Sequence, residues 1–181
     1  QHTMAAKVAS LDTLYHLVQE ESYEKCVQVA NSILATNSDN KVALTTKYFS
    51  LCQLEKYESV IGQLSQKNHL LDGEISFYYA YALYRTNNFK DALATLETCP
   101  ETLESLYLKA QAAYRAELYD ECLKAHDLLV AKHAETSPEL LTNYLAAYAS
   151  AADVDGGQHL IKRFSPLANK LFEWRYNAAC V

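Results

Sequence analysis

The side chains best equipped for chemistry form one cysteine–histidine set and one pair of tyrosine–arginine couples. Cys122 and His126 stand four residues apart, and His133 follows seven later. On a helix, positions i and i+4 share a face, so Cys122 and His126 could offer two ligands to one metal ion. A thiol beside an imidazole is also the first half of a nucleophilic pair. Neither chemistry is complete. The sequence marks no third and fourth ligand, no orienting group and no oxyanion hole. The plainer alternative is an inward-facing thiol next to a partly exposed imidazole. His16, His69 and His159 are isolated, and Gly156-Gly157 is too short for a phosphate-cradling loop. The acidic residues spread as they do on solvated helix faces. The expectation is a protein that is not an enzyme, with no metal and no cofactor.

The tyrosine–arginine couples suit recognition. Tyr84-Arg85 and Tyr114-Arg115 recur 30 residues apart, so the two couples should stack as neighbours in a regular array. Tyrosine offers a large rigid surface with a hydroxyl, and arginine offers a planar fork for carbonyls or carboxylates. Both are enriched at binding hot spots. The chain holds 14 Tyr against one Trp, so these rings belong either to a core or to a surface that uses them.

The elements that must position these residues are helices. Only 4 Gly and 3 Pro punctuate 181 residues, too few for an all-β chain, while Ala, Leu, Lys, Glu and Gln are abundant. The helices repeat. Tyr23-Glu24-Lys25-Cys26, Tyr57-Glu58-Ser59-Val60, Phe89-Lys90-Asp91-Ala92 and Tyr119-Asp120-Glu121-Cys122 each run from an aromatic to a small or compact residue three positions on. The aromatics lie 34, 32 and 30 residues apart, close to the ~34-residue period of tetratricopeptide helix hairpins. The aromatic opens the second helix of each hairpin and plugs its corner. The small residue lets the two helices approach, as Ala80 and Ala110 do from the first helices. The expected fold is all-α: a tetratricopeptide-like right-handed superhelix, or α-solenoid, of antiparallel hairpins.

Residues 1–4, where Gln-His-Thr precedes Met4, read as an expression scar. Residues 5–181 read as a single helical-repeat domain. Hairpin one covers about 5–36, hairpin two 41–68, hairpin three 73–98 and hairpin four 101–134. Hairpin five has a clear first helix from Pro138 to Ala151. Its second helix is expected to start late or to be loose, because Val154-Asp155-Gly156-Gly157 stands where an aromatic should recur. Residues 166–181 supply one further helix without a partner. A stack that stops mid-repeat leaves an apolar face uncapped, so the chain is expected to be a fragment of a longer protein.

The first helices of such stacks line a concave face. Counting back from each aromatic places Val8, Leu11, Tyr15 and Val18 there from hairpin one, and Val42, Thr45, Phe49 and Cys52 from hairpin two. Hairpin three gives Glu74, Phe77, Tyr81, Tyr84 and Arg85. Hairpin four gives Glu104, Tyr107, Gln111, Tyr114 and Arg115, and hairpin five gives Glu139, Thr142, Asn143 and Ala146. Seven aromatics on one face exceed what packing needs, which favours a protein-binding groove, although any one tyrosine could simply pack helix to helix. On this reading, Tyr84→Ala with Tyr114→Ala abolishes partner capture without unfolding the stack.

Charge and cysteine usage narrow the partners. The net charge is -6 and there is no basic stripe, which argues against direct nucleic-acid binding. The five cysteines form no CxxC, and a reduced compartment suits them. The sequence carries no secretory signal and no apolar run of ~18 residues.

The stretches Phe77-Tyr78-Tyr79-Ala80-Tyr81-Ala82-Leu83-Tyr84-Arg85, Leu118-Tyr119-Asp120-Glu121-Cys122-Leu123, Thr142-Asn143 and Tyr176-Asn177-Ala178-Ala179-Cys180 go beyond a generic repeat. In this order they resemble the amino-terminal part of the 72-kilodalton subunits of the signal recognition particle, over most of residues 10–181. The resemblance implies a scaffold that holds a carboxy-terminal segment of a 68-kilodalton partner subunit, with Asn143 and Asn177 joining the groove. It implies RNA contact only indirectly, through a basic carboxy-terminal region absent here. It also implies a cytoplasmic particle that meets ribosomes and the endoplasmic reticulum surface without membrane insertion. Val154 with Gly156-Gly157 departs from the family pattern. Two alternatives stand beside this reading. A chaperone adaptor would clamp a peptide carboxylate with Lys and Asn, but Leu11, Tyr15, Thr46, Glu74 and Tyr78 occupy those positions. An RNA-binding helical repeat would show strongly salt-dependent affinity.

Overall fold

The computed structural model describes residues 10–66, 70–71, 73–132, 137–168 and 172–181. The residues read as a scar, together with Val8, His69, His133 and the outer ends of hairpins two and four, lie outside the described residues. Two compact units divide the chain, residues 1–99 and 100–181. Unit 1 holds α1 (Leu11–Gln19), α2 (Tyr23–Thr36), α3 (Lys41–Gln53), α4 (Tyr57–Leu64), α5 (Gly73–Arg85) and α6 (Phe89–Leu96). Unit 2 holds α7 (Leu103–Arg115), α8 (Tyr119–Lys132), α9 (Pro138–Ala151), α10 (Val154–Ala168) and α11 (Phe172–Ala179). The fold is all-α and of the tetratricopeptide type. Among the described residues no helix is long and apolar enough to cross a membrane.

Each corner aromatic is the first residue of its helix: Tyr23 of α2, Tyr57 of α4, Phe89 of α6 and Tyr119 of α8. The small residues three positions on, Cys26, Val60, Ala92 and Cys122, are all 0% exposed, which is what close helix approach requires. Ala80 and Ala110 are buried from the opposite side.

The hairpin turns share one hydrogen-bond pattern. In the first, Ser22 N donates to Leu17 O and Glu21 N to Val18 O. The same pair of bonds recurs at Lys56 and Glu55, at Asn88 and Asn87, at Leu118 and Glu117, and at Asp153 and Ala152. This is the Schellman arrangement, which satisfies the last helix carbonyls by placing one residue in the left-handed region. That residue is Glu21, Glu55, Asn87, Glu117 or Ala152, with φ between 52° and 64°. Glycine, the usual occupant, fills none of these positions.

First and second helices begin differently. The first helices α1, α3, α7 and α9 carry side-chain caps: Ser10, Asn40, Thr102 in a reciprocal box with Ser105, and Ser137 just before Pro138. The second helices α2, α4 and α6 have no side-chain cap and rely on the turn and the corner aromatic.

The expectation for hairpin five needs correction. Its second helix, α10, starts at Val154 without delay. Asp153 Oδ1 accepts from Gly156 N at 3.0 Å, so a side-chain cap replaces the missing plug. Gly157 takes the small-residue position three after Val154. A Cβ on it would lie 2.3 Å from Val181, and one on Gly156 would lie 2.4 Å from Tyr148. The glycines therefore permit close packing on both sides. The helix also runs on to Ala168, so the last helix begins at Phe172 and not at residue 166.

Apolar clusters form within each unit. In unit 1, Leu44, Tyr48, Leu51, Tyr57, Val60, Leu64 and Ile75 join α3, α4 and α5, while Leu14, Cys26, Ala30, Ile33 and Ala43 join α1, α2 and α3. In unit 2, Leu106, Ala110, Ala125, Leu129 and Leu140 form one cluster. Leu141, Tyr144, Leu145, Leu160, Phe164 and Trp174 form another, with Trp174 only 1% exposed.

Candidate functional site

In unit 1 the first helices α3 and α5 lie side by side and present a groove. Phe49, Cys52 and Gln53 of α3 face Phe77, Tyr78, Tyr81 and Arg85 of α5 around a cleft of about 330 Å³, closed at one end by Glu55 and Tyr57. Cys52 and Gln53 follow Phe49 by three and four residues, and Phe77 and Tyr78 precede Tyr81 by four and three with Arg85 four beyond it, so each set follows one face of its helix. Arg85 organises this end. Its guanidinium lies over the Tyr57 ring at 4.7 Å and 5.7 Å from the Tyr81 centroid. Its Nη1 donates to Tyr81 Oη at 2.7 Å, and its Nη2 reaches Glu55 Oε1 at 3.4 Å. The Tyr81 hydrogen bond is the main cause raising the Arg85 pKa further, so the fork is always charged. The Arg85–Glu55 pair is exposed and contributes little stability.

Phe49 stands edge-on to Tyr23 and tilted against Tyr78, with centroids at 5.8 and 6.0 Å, and Phe77 meets Tyr78 at 5.7 Å. Cys52 donates to Tyr78 O at 3.8 Å. Burial pushes the Cys52 thiol and the Tyr78 phenol each up to about 12. At neutral pH both stay protonated, so the cleft offers shape, aromatic surface and a cationic fork but no ready nucleophile. A second hollow of about 380 Å³ lies nearer the helix starts, lined by Lys41, Val42, Thr45, Thr46, Gly73, Glu74 and Ile75.

The remaining sequence-derived residues of unit 1 lie elsewhere. Tyr84 packs on the corner aromatic Phe89, with centroids at 5.8 Å. Tyr15 on α1 is 65% exposed, with its ring edge-on to His16.

Unit 2 uses its tyrosines differently. Tyr114 packs on the corner aromatic Tyr119 at 5.9 Å, as Tyr84 does on Phe89. Its hydroxyl bonds Ser150 Oγ of α9 at 3.2 Å. Tyr107 is half-buried against Leu106 and Ala110. Gln111, Arg115 and Asn143 are exposed on α7 and α9. Asn177 donates to Thr142 O at 3.2 Å and so ties α11 to α9. Tyr144 donates to Asp127. Its one proton being used there, Tyr148 is the donor across the 3.1 Å Tyr148–Tyr144 contact.

The cysteine–histidine set resolves into packing. His126 Nδ1 lies 2.9 Å from Cys122 O and 3.6 Å from the Cys122 thiol, and its ring stacks on Tyr144 at 5.1 Å. Burial lowers the His126 pKa and raises that of Cys122 to about 11. No group of three or more potential metal ligands occurs among the described residues.

Sequence reasoning missed Gln53, Glu55, Tyr57 and Tyr78 as lining residues of this cleft. Tyr57 was legible only as a corner plug, yet its outer face carries Arg85. The turn position two residues before each aromatic is the signal that could have found Glu55.

Comparison with known proteins shows what the chain is similar to. Residues 69–127 match the family model of "Anaphase-promoting complex, cyclosome, subunit 3". The chain is 29% identical over 179 residues to signal recognition particle subunit SRP72 of Dictyostelium discoideum, covering 95% of this chain and 26% of that protein. It is 28% identical over 165 residues to SRP72 of Homo sapiens, covering 90% and 24%. The chain thus spans about a quarter of the length of these relatives. The solved structure of the MamA RS-1 ArsTM double mutant superposes with a TM-score of 0.72 at 15% identity, over 91% of this chain and 97% of that one, which shows the fold.

Proposed function

Since the chain is a tetratricopeptide-repeat domain akin to that of signal recognition particle subunit SRP72, we propose that it is a protein-binding scaffold of such a particle and has no catalytic role. In this reading it holds a carboxy-terminal segment of the 68-kilodalton partner subunit and so supports co-translational targeting to the endoplasmic reticulum. The particle works in the cytoplasm, on ribosomes and at the reticulum surface, and its RNA is contacted outside this acidic domain. The observation that carries the reading is the convergence of Phe49, Phe77, Tyr81 and Arg85, from two neighbouring first helices, on one open cleft. Aromatic anchors beside an immobilised arginine are what binding hot spots are made of.

A capture experiment tests it. Immobilised chain is offered a peptide of the 68-kilodalton subunit's carboxy-terminal segment, an acidic carboxy-terminal chaperone peptide and particle RNA. Retention of the first alone is expected. Preferential retention of the chaperone peptide would favour a carboxylate-clamp adaptor. RNA binding that falls steeply with salt would favour a nucleic-acid reader.

A further inference from the structure

The protein-binding reading leaves open what the held segment must look like, and the two hollows of unit 1 constrain it. Both are lined by α3 and α5, at successive positions along the two helices. Along α3 the lining runs Lys41, Val42, Thr45, Thr46 and then Phe49, Cys52, Gln53; along α5 it runs Glu74, Ile75 and then Phe77, Tyr78, Tyr81, Arg85. From Thr45 to Cys52 is two helical turns, so the hollows are centred roughly 10 Å apart.

Their chemistry differs. The first hollow is walled by Val42, Ile75 and two threonines, with Lys41 and Glu74 at its rim. Val42 is 53% exposed, so apolar surface faces solvent there. The second is walled by aromatic rings and ends at Arg85. A guanidinium has five N–H donors, and two N–H bonds, to Tyr81 and Glu55, hold this one in place. The donors left over are aimed by the stacking on Tyr57. Acidic residues outnumber basic ones 22 to 16 in the chain, so a carboxylate is unwelcome over most of its surface. At Arg85 it gains a bidentate partner in competition with the weak Glu55 contact.

We propose that the α3–α5 groove selects a partner segment carrying two apolar side chains about 10 Å apart, an aliphatic one for the Val42–Ile75 hollow and a larger one for the Phe49–Phe77–Tyr78 cleft, with a carboxylate beside the second that pairs with Arg85. The spacing matches i and i+7 of an α-helix, or i and i+3 of a polyproline-type extended segment, whose three-residue turn returns side chains to one face. This rests on the protein-binding reading above.

The test is calorimetry of the whole chain with the 68-kilodalton subunit's peptide, using Val42→Glu and Arg85→Glu, both at exposed positions, with circular dichroism to confirm folding. Each variant should lower affinity at least tenfold. An alanine scan of the peptide should find two apolar anchors seven or three positions apart, seven marking an α-helix and three a polyproline-type extended segment. A Lys placed at the peptide's acidic position should restore binding to Arg85→Glu. If the wild type binds while both variants bind as tightly, or if the anchors fall at another spacing, this inference is wrong and the scaffold reading stands. If the wild-type chain does not bind the peptide at all, the scaffold reading fails and the inference with it.

Discussion

In unit 1 the side chains of α3 and α5 converge on an open groove, whereas in unit 2 the aromatic and polar side chains of α7, α8 and α9 converge on one another. Both units are built from the same capped first helix, left-handed turn and small-residue contact. What differs is where the rings and hydroxyls find partners. Tyr114 is tied to Ser150, Tyr148 to Tyr144, Tyr144 to Asp127, and His126 is stacked beneath Tyr144. Phe49, Phe77 and Arg85 wall a cleft instead. One repeat can therefore make either an internal side-chain network or an open groove. The choice depends on residues that lie one repeat apart in the chain.

The sharpest way to break this comparison is to remove a ring from each region. Tyr144→Ala deletes a side chain that is 3% exposed, together with its bond to Asp127, and should cost about 3–5 kcal/mol of stability in denaturant melts. Partner affinity should stay within about threefold at temperatures where the variant is folded. In unit 1, Phe77→Ala with Arg85→Ala should do the opposite. The expected loss is 2 kcal/mol or more of binding, about 30-fold, with a small change in melting temperature. A melting loss there as large as that of Tyr144→Ala would mean the groove residues are structural.

A smaller effect concerns pH. His126 is buried neutral, and burial holds its folded pKa below the ordinary ~6.5 of an unfolded histidine. As pH falls below that value the unfolded chain takes up a proton before the folded one does. Unit 2 therefore loses stability from about pH 6.5 down to the depressed folded pKa. His126→Phe should show a shallower fall in melting temperature across this range than the wild type, while groove binding keeps the same pH profile in both. Identical slopes would remove His126 from the account. The smallest effect tests the turns. Ala152 holds φ 55°, so Ala152→Gly should raise stability by about 0.5–1 kcal/mol. The gain should be the same with or without partner.

Much of the fold was legible in advance because it depends on local spacing. Aromatic-to-small intervals located the starts of α2, α4, α6 and α8, and Pro138 located α9. In hairpin five the missing aromatic and the low helix propensity of Gly156-Gly157 point away from a helix that forms at Val154. Asp153 caps the helix and Gly157 fills the small-residue position, so packing overrides propensity there. The groove was half legible. Phe49, Phe77, Tyr81 and Arg85 followed from counting along first helices. The distinction between them and Tyr84 or Tyr114 did not, because each of those two packs on the aromatic five residues ahead, around the corner of its own hairpin. Glu55 was invisible for a different reason: its partner Arg85 lies 30 residues away and meets it only once the helices stack.

The central claim is that the α3–α5 groove, and not the α7–α9 network, holds the partner. Amide and side-chain NMR of the labelled chain, titrated with the 68-kilodalton subunit's peptide, tests it most directly. The account predicts saturable shifts at Val42, Thr45, Phe49, Phe77, Tyr81 and Arg85, with Gln111, Asn143 and Tyr144 unmoved. Shifts confined to α7 and α9, with the α3–α5 resonances still, would contradict it.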